Sequence, residues 1–257
     1  MGRPMAEALS AAGFDLRGLD VLPPARFGPL APAMSTDPGS MADRDIVLTV
    51  VRDAAQTDAV LFGPNAFLPL VRNLGTLVIS STLSPRYLQD LQDRLPVGLS
   101  LIDAPMSGAP IAAQERRLTF MLGGEDDRID RLMPLFRAMG TTFHRMGGFG
   151  SGMTAKVLNN LIAASSTAAT RTALAWGHAL GVDDQRLRAV FADSSGQTWF
   201  GSNFDRISWA REGFDPSNTM GILAKDVTAA MDAAPDDAPT DLPQAIIDAI
   251  SRLDTFD

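Results

Sequence analysis

The spacing of hydrophobic residues changes near residue 150 of this 257-residue chain. Before that point, short continuous apolar runs alternate with segments in which apolar residues recur every three or four positions. The first pattern is typical of strands buried in a parallel sheet, and the second of amphipathic helices. After that point only the helical spacing continues. The pattern predicts an α/β doubly wound domain over residues 1–150 and an all-α domain over residues 151–257.

The apolar runs predict strands in the first domain, at residues 14–21, 45–51, 77–82, 99–104 and 118–122. Helical spacing predicts further elements of the same domain, at residues 2–12, 53–62, 87–95 and 126–139. In the second domain it predicts helices at residues 153–180, 184–192, 204–210, 218–233 and 242–253. The chain opens on a helix, whereas a doubly wound sheet has a central strand before it. We therefore expect a gap in the sheet, due either to a misplaced start codon or to a real shortening of the protein.

The composition excludes several classes of function. Hydrophobic residues make up 46% and charged residues 20%, and no apolar run approaches the roughly 20 residues that span a bilayer. The first residues lack the leader of a secreted protein, so we expect a cytoplasmic location. There is no cysteine, and His144 and His178 have no partner cluster nearby, so no metal site is expected. The formal charge of −8 argues against a nucleic-acid-binding surface.

The stretch GGFGSGMTAKVLNNLI, residues 147–162, joins the two predicted domains. Its glycines and small residues predict a loop that passes directly into a long helix. Lys156 and Asn160 are four positions apart, so both project from one helix face and could hold one small polar molecule. The alternative is a joining helix whose lysine is merely solvated. Asn159 points elsewhere, and we assign it to packing or capping.

Three other places in the chain contain candidate site residues. Asp20 ends a predicted strand, where a dinucleotide-binding fold holds the ribose hydroxyls with an acid; a simple strand-end turn is the alternative. Ser107 and Gly108 follow another strand and offer a hydroxyl and approachable backbone N–H groups to a carboxylate, although ordinary turns use the same residues. Lys225 and Asp226 are adjacent and cannot share a helix face. They form either a solvated surface pair or place one charge at the joint.

In their order along the chain, these motifs resemble the β-hydroxyacid dehydrogenase family over nearly the full length. The resemblance implies a Rossmann-type N-terminal domain, a helical C-terminal domain, and hydride transfer between NAD(P) and a small β-hydroxyacid or its semialdehyde. It implies that Lys156 is the general acid/base and that Asn160 binds the substrate. The family's Ser-Gly-Gly sequence for the substrate carboxylate corresponds to Ser107, Gly108 and Ala109, so alanine replaces the second glycine.

The same resemblance implies cofactor contacts at Gly2, Asp20, Thr82 and Lys225. Gly2 would end the phosphate turn, and Thr82 and Lys225 would lie near the nicotinamide. The Asp20 carboxylate would accept from both ribose hydroxyls and repel a 2′-phosphate, which favours NAD, while NADP stays possible. Arg52 stands where relatives have a neutral residue; it would favour a more acidic substrate, or lie on the surface.

Two rival functions remain at this point. A non-catalytic relative would lack cofactor binding and act as a binding or dimerisation module. An imine reductase of similar architecture is disfavoured because Lys156 is present. In the dehydrogenase, neutral Lys156 would take the hydroxyl proton during oxidation, and its ammonium would protonate the alkoxide during reduction. The long alanine-rich helix and the family suggest a homodimer or homotetramer.

Overall fold

The computed structural model describes residues 1–256, which fall into two compact units with the division between Lys156 and Val157. The long helix Ser151–Ala179 begins in the first unit and continues into the second. The domain boundary predicted between residues 150 and 151 therefore falls at the start of this helix. Strands lie in the first unit, and the described part of the second unit is helical.

The strands of the first unit, as far as residues 1–256 show, have short and well-defined bounds: β1 Gly18–Leu19, β2 Met34–Ser35, β3 Ile46–Thr49, β4 Thr76–Ile79, β5 Ser100–Asp103, β6 Met106–Ser107, β7 Leu118–Gly123 and β8 Gly140–Gly147. The main sheet has the order β3-β4-β5-β7-β6, and β8 pairs with β7. Strands β3, β4 and β5 are parallel and in continuous register. Strand β7 runs antiparallel to β5 and β6 and parallel to β8.

The expected gap in the sheet is present. Strands β1 and β2 form a separate two-stranded parallel sheet, and β3 pairs with β4 alone. Within residues 1–256, no strand bridges β1 and β3. The strand predicted at residues 14–21 is accordingly reduced to two residues, because only β2 offers it hydrogen-bond partners.

Helices of the first unit follow the predicted segments, with one addition: α1 Gly2–Ala11, α2 Ala54–Phe62, α3 Pro85–Arg94, α4 Ala109–Gln114 and α5 Asp126–Met139. Two 3₁₀ segments, Pro24–Ala33 and Pro38–Met41, connect β1 to β2 and β2 to β3. Local chemistry fixes the helix starts. The Asp53 carboxylate accepts from the backbone N–H of Gln56 at the start of α2, and the Ser84 hydroxyl caps α3 in the same way.

Strands β4 and β5 are buried on both faces, as their continuous apolar sequences predict. Val78 and Ile102 pack with apolar residues of α1 and α5 in one cluster. Leu77 and Ile79 pack on the other face with residues of α2 and α3. Met153 belongs to this second cluster and is fully buried, so the start of the long helix is part of the core of the first unit.

The second unit consists of helices, the first of which continues from the first unit: α6 Ser151–Ala179, α7 Asp184–Asp193, α8 Trp199–Ser202, α9 Thr219–Asp232 and α10 Asp241–Ser251. Gly181 has φ of 76° directly after α6, the left-handed conformation in which glycine commonly ends a helix. Ala164 and Ala168 of α6 pack with apolar residues of α9 and α10. Small side chains on α6 therefore allow these helices to approach closely.

Two expectations for local structure were wrong or incomplete. The helix predicted at residues 204–210 is only a 3₁₀ turn, Phe204–Arg206. Arg171 donates to the carbonyl oxygens of Ala210 and Glu212 at 2.7 and 2.9 Å, at the end of this segment and just after it. Strand β8 was not predicted, because it is mostly exposed and carries polar side chains. No helix among residues 1–256 is long and apolar enough to cross a bilayer.

Candidate active site

The carboxyl ends of β3, β4 and β5 lie side by side, and predicted site residues follow them. The parallel register aligns the last residues of the three strands, so the following loops leave the sheet at one edge. At such an edge, doubly wound sheets bind their ligands. The Ser81 hydroxyl accepts from the backbone N–H of Val51 at 2.9 Å and ties the first two loops together. Thr82 is next in the chain and is half-buried.

The loop after β5 contains the predicted carboxylate-binding residues. Ser107 is half-buried and ends β6. Gly108 has φ of 133°, and a Cβ there would lie 2.5 Å from the Cβ of Ala112, so only glycine fits. Ala109 follows with φ of 59°, the left-handed region that disfavours alanine. Pro110 lies in the first turn of α4, where its missing N–H removes no helical hydrogen bond.

Asp103, the last residue of β5, is fully buried. Its Oδ1 accepts from the backbone N–H of Gly150 at 2.7 Å, and its Oδ2 accepts from that of Met153 at 2.5 Å. Burial raises the pKa of Asp103 to about 6, and the backbone hydrogen bonds oppose this rise. The carboxylate thus binds the otherwise unpaired N–H groups at the start of α6.

Lys156 and Asn160 lie one turn apart on α6 and are both buried, with 8% and 7% of their surface exposed. The solvated-lysine alternative is therefore wrong. Asn160 Nδ2 donates to Asp226 Oδ2 at 2.5 Å, and Asn159 Nδ2 donates to Asn160 Oδ1 at 3.2 Å. These contacts fix the orientation of the Asn160 amide.

The Lys225–Asp226 pair differs from a solvated surface pair. Asp226 is buried in the second unit, whereas the Lys225 side chain is a third exposed. Lys225 Nζ lies 2.8 Å from Asp226 Oδ1, as an ion pair without directed hydrogen-bond geometry. The two residues start from different helix faces, but the long lysine side chain folds back to the carboxylate. Asp226 thus contacts both Lys225 and Asn160.

The predicted cofactor residues of the first unit lie at the ends of short elements. Asp20 follows β1, and its Oδ1 accepts from the backbone N–H of Leu22 at 2.9 Å. This hydrogen bond forms a turn at the end of the strand. Gly2 begins α1, and a Cβ added at Gly2 would lie 3.6 Å from the Cβ of Val50, just after β3. The start of α1 therefore lies at the same edge of the main sheet as the loops described above.

The structure divides the predicted site residues between the two units. Those of the first unit are Gly2, Asp20, Thr82, Ser107, Gly108, Ala109 and Lys156, and those of the second are Asn160 and Lys225. Sequence reasoning did not single out Asp103, and it named Asp226 only as one half of a charged pair with Lys225, without a role of its own. The available signal was an acid that ends an apolar strand, and an acid within an otherwise apolar helical segment. Among residues 1–256, no three His, Asp or Glu side chains form a possible metal site.

Two family descriptions match the chain. Residues 1–148 match the NAD binding domain of 6-phosphogluconate dehydrogenase. Residues 150–246 match the NAD-binding domain of NADP-dependent 3-hydroxyisobutyrate dehydrogenase. Together they cover both the doubly wound part and the helical part of the chain.

Individual proteins show the same similarity. The mitochondrial 3-hydroxyisobutyrate dehydrogenase of Mus musculus is 30% identical over 244 residues, which cover 91% of this chain and 73% of the mouse protein. L-threonate dehydrogenase of Cupriavidus necator is 31% identical, with 91% and 80% covered. A structure of the Mycobacterium tuberculosis 3-hydroxyisobutyrate dehydrogenase with L-serine matches with a TM-score of 0.80 and 26% identity, covering 99% of this chain and 92% of that one.

Proposed function

The chain belongs to the β-hydroxyacid dehydrogenase family and is an NAD(P)-dependent oxidoreductase, and from this premise we propose that it interconverts a small β-hydroxyacid and the corresponding semialdehyde, with Lys156 as the general acid/base. The observation that supports this most is the position of Lys156. Its side chain is buried on α6, and the first turn of α6 is bonded to the end of β5. Burying a lysine is costly, and such lysines are more typical of catalytic sites than of a joining helix.

We propose that the loop after β5 binds the substrate carboxylate. The Ser107 hydroxyl and the backbone N–H groups of Gly108 and Ala109 are the donors that it offers. The conformation of Gly108 is one that no other residue fits, which supports a loop shape kept for close approach by a ligand. The replacement of the family's second glycine by Ala109 keeps a backbone N–H at that position.

The proton steps follow from Lys156. In oxidation, its neutral amine takes the hydroxyl proton as the carbon–hydrogen bond breaks and the carbonyl forms. In reduction, its ammonium gives this proton back to the alkoxide oxygen. Asn160, one turn along the same helix, carries two amide hydrogens, one of which points to Asp226. We propose that the other binds the substrate.

The residues of the first unit fit a dinucleotide. The start of α1 lies at the carboxyl edge of the main sheet, and Asp20 follows β1. When bound, the nicotinamide supplies the hydride acceptor or donor. We propose that Gly2 lies near the cofactor phosphates, that Asp20 binds the ribose hydroxyls and favours NAD over NADP, and that Thr82 and Lys225 lie near the nicotinamide.

We also propose that the protein is a homodimer or homotetramer in solution, formed through the helical unit, and that it works in the cytoplasm. Large apolar residues are exposed along α6 and directly after it, in pairs one turn apart: Leu158 and Ile162, and Trp176 and Leu180. Trp176 is 69% exposed and Leu180 is 81% exposed, and such clusters on a helix commonly mark an interface. Light scattering of the purified protein tests the oligomeric state, and a monomer at all concentrations would contradict it.

The function is tested in two steps. A fluorescence titration with NADH and with NADPH tests whether the chain binds a cofactor. Turnover is then measured with a panel of β-hydroxyacids and semialdehydes, by the absorbance of the reduced nicotinamide. We expect binding of NADH and turnover of at least one member of the panel.

The non-catalytic alternative makes the opposite prediction. A chain that shows no cofactor binding at millimolar NADH, while it stays folded by circular dichroism, would support a binding or dimerisation module. Cofactor binding without turnover would keep the oxidoreductase class but contradict the proposed substrate.

A further inference from the structure

The first turn of α6 is attached to the main sheet by the buried carboxylate of Asp103. We propose that Asp103 is a positioning residue for the reaction: it fixes the start of α6, and with it Lys156, relative to the loop that carries Ser107. The inference rests on the proposed function, because Lys156 matters here as the acid/base. Asp103 itself bonds to backbone groups, and one of these belongs to Met153, which lies about one helical turn before Lys156 on α6.

Both oxygens of the Asp103 carboxylate are used on the start of α6. Oδ1 accepts from Gly150 and Oδ2 accepts from Met153, so the pair of bonds sets both the position and the rotation of the first turn. Most helices take their cap from the residue that precedes them, as α2 does with Asp53. In α6 the cap comes from β5, 47 residues earlier for Gly150. A local cap orders only its own helix, whereas this one links the helix to a particular strand end.

Close packing around the carboxylate leaves little freedom to the attachment. A Cβ on Gly123 of β7 would overlap Asp103 Oδ1. A Cβ on Gly152 of α6 would overlap the carbonyl oxygen of Met121 and would lie 2.9 Å from Asp103 Oδ2. The two glycines therefore allow the helix start to touch the carboxylate and the strand directly.

A second contact attaches the same helical turn to the loop after β4. The backbone N–H of Leu83 donates to the Met153 sulfur at 3.3 Å, and Leu83 is the neighbour of Thr82. The first turn of α6 thus contacts the loop after β4, which carries the proposed nicotinamide residue Thr82, and the end of β5, which leads into the proposed carboxylate loop. A shift of this turn moves Lys156 relative to both.

An amide side chain could not replace the Asp103 carboxylate in this role. An asparagine has one acceptor oxygen, and its NH₂ group would face a backbone N–H, donor against donor. Burial raises the pKa of Asp103 to about 6, which means that the charged form is disfavoured by its surroundings. The site therefore keeps a carboxylate in spite of the cost of burying it, because only a carboxylate offers two acceptors in this geometry.

The test compares Asp103→Asn with Asp53→Asn, which makes the same chemical change at the cap of α2 in the same unit. We expect Asp103→Asn to lower kcat by about 10²-fold, the scale on which a displacement of about 1 Å affects catalysis, with KM for the cofactor nearly unchanged. We expect Asp53→Asn to leave kcat within about twofold of the wild type. Hydrogen exchange of the backbone amides should increase at residues 150–156 in the first variant only.

Asp103→Glu serves if Asp103→Asn does not fold. It keeps the charge and both acceptor oxygens but lengthens the side chain by one methylene, so we expect a folded protein with kcat reduced by about 10-fold. A folded Asp103 variant with kcat within about twofold of the wild type would overturn the positioning role alone. A fall in kcat matched by an equal rise in the cofactor KM, together with faster hydrogen exchange of backbone amides across the whole first unit, would overturn it as well. That result would mean that the substitution loosens the whole unit. Lack of turnover in the wild type would overturn the proposed function instead, and the positioning role with it.

Discussion

The two helix starts that the proposed function uses, those of α1 and α6, are held in opposite ways. Within residues 1–256 the start of α1 has no side-chain cap, and a Cβ added at Gly2 would lie 3.6 Å from the Cβ of Val50, an ordinary van der Waals distance. The start of α6 is bonded to the buried Asp103 carboxylate and to the loop after β4. The nearby sheets differ in the same sense, because β1 and β2 pair over two residues, whereas β4 and β5 lie in the core.

This difference suggests a division of tasks. The start of α6 is fixed by hydrogen bonds to the end of β5, and the proposed proton transfer requires such a fixed geometry, since a small displacement of the proposed acid/base is costly. Met5, Ala8 and Leu9 pack α1 into the core, but within residues 1–256 its first turn has no side-chain cap and the neighbouring β1 pairs over two residues, so a ligand bound there would stabilise this end of the region. Changes near α6 should therefore alter kcat or stability, and changes near α1 and β1 should alter mainly cofactor affinity.

Lys156→Ala should have the largest effect. We expect kcat to fall by about 10²-fold or more, because general acid/base help is lost, while NADH binds as it does to the wild type. Steady-state kinetics and a fluorescence titration measure the two quantities. Thr154→Ala, an exposed position two residues earlier on α6, is the control and should retain kcat. An unchanged kcat in Lys156→Ala would contradict the acid/base role of Lys156. It would also remove the reason to assign catalysis to the α6 region.

Asp103 should make stability depend on pH in an unusual direction. Its pKa is about 6 in the folded protein, above its usual 3.8, so the folded state holds this proton more tightly than the unfolded state does. The stabilisation is complete below about pH 4 and is lost as the pH rises through about 6. The shift of roughly 2 units corresponds to about 3 kcal/mol of unfolding free energy.

Urea unfolding of the wild type and of Asp103→Asn, at about pH 4 and about pH 7.5, isolates this contribution. Other titrating groups are common to the two proteins and cancel in the difference. We expect the advantage of the wild type to shrink by about 3 kcal/mol at the higher pH. An advantage that grows with pH would mean that the hydrogen bonds from Gly150 and Met153 outweigh the burial of the carboxylate.

Much of the fold was predictable, because apolar runs and helix caps are local signals. The α5 bounds agree with the sequence prediction, and the Ser84 cap of α3 is a local signal of this kind. The role of Asp103 was not predictable, because it depends on a contact with Gly150 across 47 residues. Asp226 was missed for a similar reason: adjacency to Lys225 suggested a surface pair, and its burial depends on how the helices pack. The site roles of Lys156 and its neighbours remain predictions.

Asp20→Ala tests whether the α1 and β1 region sets cofactor affinity, and its expected effect is smaller. We expect affinity for NADH to fall by about 10-fold, the loss of roughly one charge-assisted hydrogen bond, and affinity for NADPH to fall less, because the repulsion of a 2′-phosphate is removed. Asp37→Ala is a close control, since Asp37 accepts from Gly39 at 2.9 Å in the same kind of turn that Asp20 makes with Leu22. Equal effects of the two variants on NADH binding would show that only the turn matters.

Ala109→Gly should have the smallest effect. Ala109 has φ of 59°, which costs an alanine about 1 to 2 kcal/mol, while glycine loses about 0.5 to 1 kcal/mol more through chain entropy. We therefore expect a net gain of about 0.5 to 1 kcal/mol in urea unfolding. Arg116→Gly is the matched control, since Arg116 has φ of 55° outside the proposed carboxylate loop. A gain at Arg116 without one at Ala109 would mean that contacts of the Ala109 methyl group offset its strain, and that packing helps to hold this loop in place.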